Sequence, residues 1–178
     1  MRRREFIALA AGAMAVPSAG HAEHHRVIGL LSSPPIELMG QQIGAFRRGL
    51  EERGYFEGRN VWIEYRGAPE YERLPGFAKD LPDRKVAVIV ATGSALSARA
   101  AKAATSEIPI LFANGSDPVK SGLVTSLNRP EGNATGVTFY TSALGPKRLE
   151  LLRELVGAGG KFAFLVNPTN PVTAADRN

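Results

Sequence analysis

The 178-residue chain contains no cysteine, so it can form neither a disulfide bond nor a thiolate metal site. It contains three histidines, and all of them lie within the first 25 residues, at His21, His24 and His25. A Ser-His-Asp or Cys-His catalytic group needs a histidine that the fold holds in place, and none follows His25. We therefore predict no catalytic residues and no metal site.

Nucleotide-binding motifs are also absent. The turn "LLSSPPIELMG" lacks the G-x-G-x-x-G pattern, and G-x-x-x-x-G-K-[ST] occurs nowhere in the chain. These absences argue against nicotinamide, flavin and ATP chemistry in their usual binding modes, and we predict no cofactor. The carboxylate pair Glu51-Glu52 falls on the exposed side of a predicted helix, where solvation is a simpler role than acid–base catalysis. The sequence therefore predicts a protein that is not an enzyme.

The beginning of the chain has the composition of an export signal. Basic residues Arg2–Arg4 precede an apolar run from Phe6 to Val16, and the small residues Gly20 and Ala22 follow it. The apolar run is too short to span a bilayer. We predict that residues 1–22 are a signal peptide and that the protein is exported to the bacterial periplasm.

The route of export stays open between two alternatives. The segment Arg3-Arg4-Glu5-Phe6-Ile7 resembles the twin-arginine pattern. Arg2 stands where that pattern usually has Ser or Thr, so the general secretory route is the alternative.

The net charge offers little support for a nucleic-acid partner. Residues 1–22 contain three arginines and one glutamate, so their removal lowers the formal net charge from +5 to +3. The remaining basic residues are interleaved with Glu and Asp and form no cluster that alternates with aromatic residues. We predict no nucleic-acid binding.

The periodicity of apolar residues predicts alternating strands and helices. Short apolar or alternating runs predict five strands, at residues 26–31, 60–66, 86–92, 108–113 and 135–139. Helices are predicted between the first four strands. Met39, Ile43, Phe46 and Leu50 form the apolar stripe of the first helix, and Gly54 marks its end. Pro75 starts the second helix, and Ser94 through Ala104 form the third. Alternation of this kind predicts an α/β fold with a parallel Rossmann-like or flavodoxin-like sheet and helices on both faces.

Two later segments do not fit this alternation. Residues 116–137 form a long stretch rich in Gly, Pro, Asn and Ser, and loops of this length in compact domains usually serve a function. Pro146 then opens a predicted helix, and Lys161–Val166 reads as a further buried strand. That strand either joins the edge of the first sheet or begins a second domain.

Small polar residues follow three of the predicted strands. They are Ser32 and Ser33 after the first strand, Thr92, Gly93 and Ser94 after the third, and Asn114, Ser116 and Asp117 after the fourth. In an open parallel sheet, ligands bind outside the carboxyl ends of the strands, where the strand order reverses. These residues are therefore candidates for binding a small polar or anionic solute. The alternative is that Ser94 and Asp117 only cap the segments that follow them.

Several of these segments together resemble a known family. The stretches "RVIGLLSS", "AFRRGLEERGYFEGRNVWIEYRGAPEYERLPGFAKDL", "KVAVIVATGSALSARAAKAATSEIPILFANGSDPVKSGLVTSLNRPEGNATGVTF", "LGPKRLELLRELV" and "FLVNPTNP" are similar to ABC-transporter substrate-binding proteins of the type I periplasmic-binding fold. The resemblance implies two lobes joined by hinge strands, which close on an amino acid or related organic solute. It also implies delivery of that solute to a permease in the inner membrane.

The resemblance further implies a division of the chain. Residues 23–140 would form the N-terminal lobe, and residues 141–178 the crossover helix and first strand of a second lobe that is largely missing. The loop after the fourth strand would lead into the hinge, which adds Tyr140 to the ligand-binding candidates. On this reading we expect a shortened protein with impaired binding.

Two alternatives come from other classes of protein. One is an exported flavodoxin-like enzyme, which would carry a cofactor. The other is a single lobe that acts as a sensor or interaction module, an idea that rests on the unfinished strand at Lys161–Val166. The sequence does not identify the solute.

Overall fold

The computed structural model describes residues 26–157, 159–163, 165 and 167. The predicted signal peptide, the three histidines and the end of the chain lie outside these residues. Within the described residues, no helix is both long enough and apolar enough to cross a bilayer.

Five strands form one parallel sheet in this part of the chain. They are β1 (Arg26–Ser32), β2 (Val61–Gly67), β3 (Val88–Thr92), β4 (Ile110–Asn114) and β5 (Ala134–Thr138). Their order across the sheet is β2-β1-β3-β4-β5, and each neighbouring pair is parallel. All five predicted strands are confirmed, with no bound shifted by more than two residues, and so is the α/β fold class.

Four α-helices accompany the sheet. They are α1 (Gly40–Glu51), α2 (Leu74–Asp83), α3 (Ala95–Ala104) and α4 (Gly145–Val156). Short 3-10 turns precede α1, α2 and α4. The predicted end of α1 is confirmed, because Gly54 has φ +81° and Tyr55 N–H donates to the Leu50 carbonyl oxygen at 2.9 Å.

The larger part of the core lies between the sheet and helices α2 and α3. Leu81 of α2 and Ile89 of β3 are fully buried there, and a Cβ on Gly29 would lie 2.9 Å from a Leu81 methyl carbon. Helix α3 can approach closely because it presents alanines, of which Ala98 and Ala101 are buried. Because these side chains are small, α3 packs closely on the sheet. Its first residues then lie beside the carboxyl ends of the strands.

Helix α1 covers the opposite face of the sheet. Ile43 is buried, and Phe46 and Leu50 pack on a cluster around Ile28 and Val90. The stripe predicted from the sequence is therefore the packing face, and helices lie on both faces of the sheet.

The long loop between β4 and β5 takes the place of a crossover helix. Because the two strands are parallel, the chain has to return from the carboxyl end of β4 to the amino end of β5. Leu123 and Val124 are buried in the core on the way, and Lys102 Nζ of α3 donates to the Gly122 and Leu123 carbonyl oxygens at 3.1 and 3.0 Å. Leu123 and Val124 of the loop thus cover the part of the core beyond β4 that α3 does not cover.

Beyond β5 the described chain changes character. Every residue of α4 is exposed, including Leu152 at 46% and Leu155 at 82%. Residues 161–163 and 165 are not in a strand, so the predicted strand at Lys161–Val166 is wrong for its described residues, and its other two residues lie outside the description. A strand needs a neighbour for its backbone hydrogen bonds, and these residues have none in the sheet.

Candidate functional site

The carboxyl ends of β1, β3 and β4 lie side by side, which brings together the three predicted polar loops. We call this region the carboxyl edge and define it as residues 32–34, 92–94 and 114–117. Ser32 is in register with Thr92, and Thr92 with Ala113. The connection from β1 leads to β2 on one side, while β3 lies on the other, so the strand order reverses at this edge.

The first loop of the carboxyl edge is held inside the structure. Ser32 is fully buried, and its hydroxyl donates to the sulfur of Met39. Ser33 is also buried, and its N–H donates to the Thr92 carbonyl oxygen at 3.3 Å. The Ser32 side chain thus contacts the residue before α1, and the Ser33 backbone docks the turn after β1 on the end of β3.

The second loop starts helix α3. Ser94 Oγ accepts the Leu96 N–H at 3.2 Å, as an N-cap does. Thr92 Oγ1 donates to the Ala113 carbonyl oxygen at 3.2 Å, and the buried Ser97 Oγ donates to the Thr92 carbonyl oxygen at 2.8 Å. The capping interpretation of Ser94 is therefore confirmed. Gly93, with φ +89°, makes the turn between β3 and this cap.

The third loop carries a buried amide with an unused donor. Asn114 ends β4 and is 3% exposed. Its Oδ1 accepts the Ser116 N–H at 3.0 Å, whereas its Nδ2 has no hydrogen-bond partner among the described residues. Buried polar side-chain atoms almost always have a partner in folded proteins. Asn114 is therefore the member of the carboxyl edge with an unmet bonding requirement.

Asp117 uses its carboxylate locally. Oδ1 accepts the Val119 N–H at 2.9 Å and the Lys120 N–H at 3.1 Å, so the capping interpretation is confirmed for this residue as well.

Tyr140 is half-buried and has φ +50°, and its N–H donates to Thr138 Oγ1 at 3.3 Å. The structure therefore places Tyr140 where the chain leaves the sheet beside β4.

Sequence reasoning missed Thr138 at this edge. Thr138 is in register with Asn114, and its hydroxyl donates to the Ser116 carbonyl oxygen at 2.7 Å. The predicted strand at residues 135–139 includes Thr138, but only the register between β4 and β5 shows that it lies beside Asn114. Among the described residues, no group of three His, Asp or Glu side chains could hold a metal ion.

Comparison with known proteins matches most of the chain to one family. The family model described as ABC transporter substrate binding protein matches residues 27–175. The Tyrosine-binding protein of Clostridioides difficile (strain R20291) is 36% identical over 127 residues, which cover 68% of this chain and 35% of that protein.

Solved structures give the same picture. The ligand-free, open form of a substrate-binding protein with adhesive properties from Clostridium difficile has a TM-score of 0.62 at 32% identity, over 72% of this chain and 43% of its own. An ABC domain from Streptococcus pneumoniae in complex with L-Trp has a TM-score of 0.58 at 25% identity, over 64% and 38%.

A conserved domain protein from Vibrio cholerae adds support for the fold alone. It has a TM-score of 0.72 at 24% identity, over 85% of this chain and 51% of its own. The chain thus spans about a third to a half of the length of these relatives.

Proposed function

The chain belongs to the family of ABC transporter substrate-binding proteins, and we propose that its carboxyl edge binds a small polar solute, an amino acid or a related organic solute. The relatives are substrate-binding proteins, so the prediction that the protein is not an enzyme is confirmed, and the flavodoxin-like enzyme alternative is not retained.

The observation that carries the proposal is the unpartnered Nδ2 of Asn114. A buried donor without an acceptor destabilises a folded protein by about 1–3 kcal/mol. A solute oxygen that accepts this hydrogen bond would recover that free energy, which favours binding at this atom once the loops over it move to expose it. The atom lies at the carboxyl ends of the strands, where solutes bind in open parallel sheets.

The relatives support an amino acid as the solute. One is named for binding tyrosine, and the pneumococcal structure holds L-Trp. An amino acid carries a carboxylate, which can accept from an amide N–H, and an ammonium group, which can donate to hydroxyl and carbonyl oxygens. We therefore place the solute carboxylate or another acceptor oxygen against Asn114 Nδ2.

The length of the relatives supports a site that is shared between two lobes. The Tyrosine-binding protein extends well beyond the matched region, which is 35% of its length. Solute sites usually bury most of the ligand surface between facing walls. On this proposal the lobe described above supplies one wall, and it binds the solute more weakly by itself than a two-lobed relative does.

The wider role follows from the family. We propose that the protein is the solute-binding component of an ABC-type importer and delivers its solute to a permease in the inner membrane. Residues 1–22 have the composition of an export signal, which supports export to the periplasm. The twin-arginine route remains the proposal for the pathway, with the general secretory route as the alternative.

A calorimetric titration of the full 178-residue chain with L-tyrosine and with L-tryptophan tests the proposed function. Asn114→Asp keeps an oxygen to accept the Ser116 N–H and removes the Nδ2 donor, and it should weaken binding by about tenfold or more. Asn128→Asp makes the same chemical change at an exposed loop position and should leave the affinity unchanged. Equal affinity of wild type and Asn114→Asp would contradict the assignment of Asn114, and no binding of either amino acid would contradict the solute class.

A further inference from the structure

Thr138 is the last residue of β5, and it lies directly beside Asn114. The two residues are partners in the parallel register of β4 and β5, so their side chains share one face of the sheet. Thr138 also lies next to the carboxyl edge, because it ends β5 as Asn114 ends β4. Thr138 is therefore the residue of β5 in register with Asn114, whose Nδ2 has no partner among the described residues.

The Thr138 hydroxyl makes two hydrogen bonds that join separate segments. It donates to the Ser116 carbonyl oxygen at 2.7 Å and accepts the Tyr140 N–H at 3.3 Å. The neighbouring Phe139 N–H donates to the Asn114 carbonyl oxygen at 3.0 Å. The turn from Asn114 to Ser116 is thus tied at both ends to the segment in which the chain leaves the sheet.

The backbone after Thr138 turns back on the same loop. Tyr140 has φ +50°, a left-handed conformation that residues with a side chain seldom adopt. A Cβ on Gly115 would lie 2.0 Å from Thr141 Oγ1, so the Thr141 side chain lies directly against the Gly115 backbone. The acceptor that Thr138 supplies to the Tyr140 N–H stabilises this reversal of the chain.

The carbonyl oxygen and the N–H of Ser116 connect Thr138 to the Asn114 amide. The Ser116 carbonyl is held by Thr138, while the Ser116 N–H donates to Asn114 Oδ1 at 3.0 Å. An amide group is planar, so the position of Oδ1 fixes the direction in which Nδ2 points. The Thr138 hydroxyl is therefore linked to the Asn114 amide through Ser116.

We propose that Thr138 is a positioning residue for solute binding: its hydroxyl holds Ser116 so that Asn114 Nδ2 is oriented toward the solute. This proposal rests on the proposed function, because it needs a solute that accepts from Asn114. Thr138 acts through Asn114 and Ser116 and makes no solute contact of its own.

The test compares Thr138→Val, Thr138→Ser and Thr135→Val in the full chain, with L-tryptophan as the probe. Valine matches the shape of threonine without its hydroxyl, and serine restores the hydroxyl. Thr135 lies on the same strand with its side chain on the opposite face, where it is exposed, so Thr135→Val is a matched control. The dissociation constant is measured well below the midpoint of thermal unfolding, so that a loss of global stability does not lower the measured affinity.

We expect Thr138→Val to weaken L-tryptophan binding by about fivefold to tenfold, as the loss of one or two hydrogen bonds would. Thr138→Ser and Thr135→Val should bind within about twofold of wild type on the same scale. The chemical shift of the Asn114 side-chain amide should also move in Thr138→Val before any solute is added, and stay in place in Thr135→Val.

The outcomes separate the two proposals. If wild type binds L-tryptophan, Asn114→Asp weakens that binding and Thr138→Val does not, the positioning role is wrong while the proposed function stands. If wild type binds neither L-tryptophan nor L-tyrosine, the proposed function fails and the positioning role fails with it. Should Thr138→Val not fold, Thr138→Ala replaces it, with the same expected loss and the same rescue by serine.

Discussion

Gly93 lies so close to Pro34 that no side chain fits between them. A Cβ on Gly93 would lie 2.3 Å from Pro34 Cδ and 2.6 Å from Ser33 Oγ. Gly93 also has φ +89°, a conformation that favours glycine. The turn after β1 can therefore dock on the turn after β3 only because residue 93 has no side chain.

Replacing Gly93 by alanine should destabilise the lobe and displace the turn at Ser33. The left-handed backbone alone costs about 1–2 kcal/mol, and the contact with Pro34 adds to it. The control is Gly76→Ala inside α2, where nothing lies within 4 Å of the new Cβ; it should stabilise the protein by about 0.4–1 kcal/mol. Urea unfolding of both variants measures the two effects, and a Gly93→Ala protein as stable as wild type would contradict the docked arrangement.

Leu123 should behave as a core residue although it belongs to a loop. It is fully buried in the same cluster as β4 and α3, so Leu123→Ala should cost about 2–5 kcal/mol through lost burial and the cavity left behind. Leu127 lies in the same loop but is 60% exposed, and Leu127→Ala should cost much less. Similar losses in the two variants, measured by chemical unfolding, would show that the loop does not close the core.

Asp80 should make the stability of the lobe depend on acidity. Its carboxylate accepts from Arg84 Nε at 2.8 Å and from Arg66 Nη2 at 2.7 Å, and these hydrogen bonds, that from Arg84 first, hold the pKa of Asp80 below its ordinary value. A lowered pKa in the folded state adds stability above the unfolded pKa of about 3.9, and that stability is lost as the pH falls through the folded pKa.

Asp80→Asn should therefore be less stable than wild type at pH 7, and the difference should shrink below about pH 4. The effect is modest, because the Asp80 side chain is 40% exposed. Asp83→Asn removes a carboxylate from an exposed residue of the same helix and controls for the change in net charge. A difference between wild type and Asp80→Asn that stays constant from pH 7 to pH 2.5 would contradict this account.

The sheet was predictable because its signals are local. Runs such as Val86–Thr92 are apolar on both faces, as buried parallel strands are, and a helix-capping residue such as Ser94 marks a boundary within a few residues. The capping roles of Ser94 and Asp117 also depend only on residues close in sequence, and both roles are confirmed.

The contacts across the sheet were not predictable from one sequence. Nothing in the spacing of β4 and β5 shows that Thr138 is in register with Asn114, because register depends on how the long loop packs. The buried Nδ2 was missed for the same reason, since whether an amide finds a partner is decided by neighbours distant in the chain. The predicted strand at Lys161–Val166 had the right composition, but composition alone does not supply a neighbouring strand.

In the proposed function, Asn114 presents a hydrogen-bond donor to an amino-acid solute. The decisive experiment follows the side-chain amide resonance of Asn114 in the nitrogen-15-labelled full chain while L-tryptophan is added. We predict that this resonance shifts and saturates, while the side-chain amide of Asn128, which is exposed, does not move. An Asn114 resonance that stays unchanged while L-tryptophan binds elsewhere, or that moves no more than Asn128, would contradict the claim.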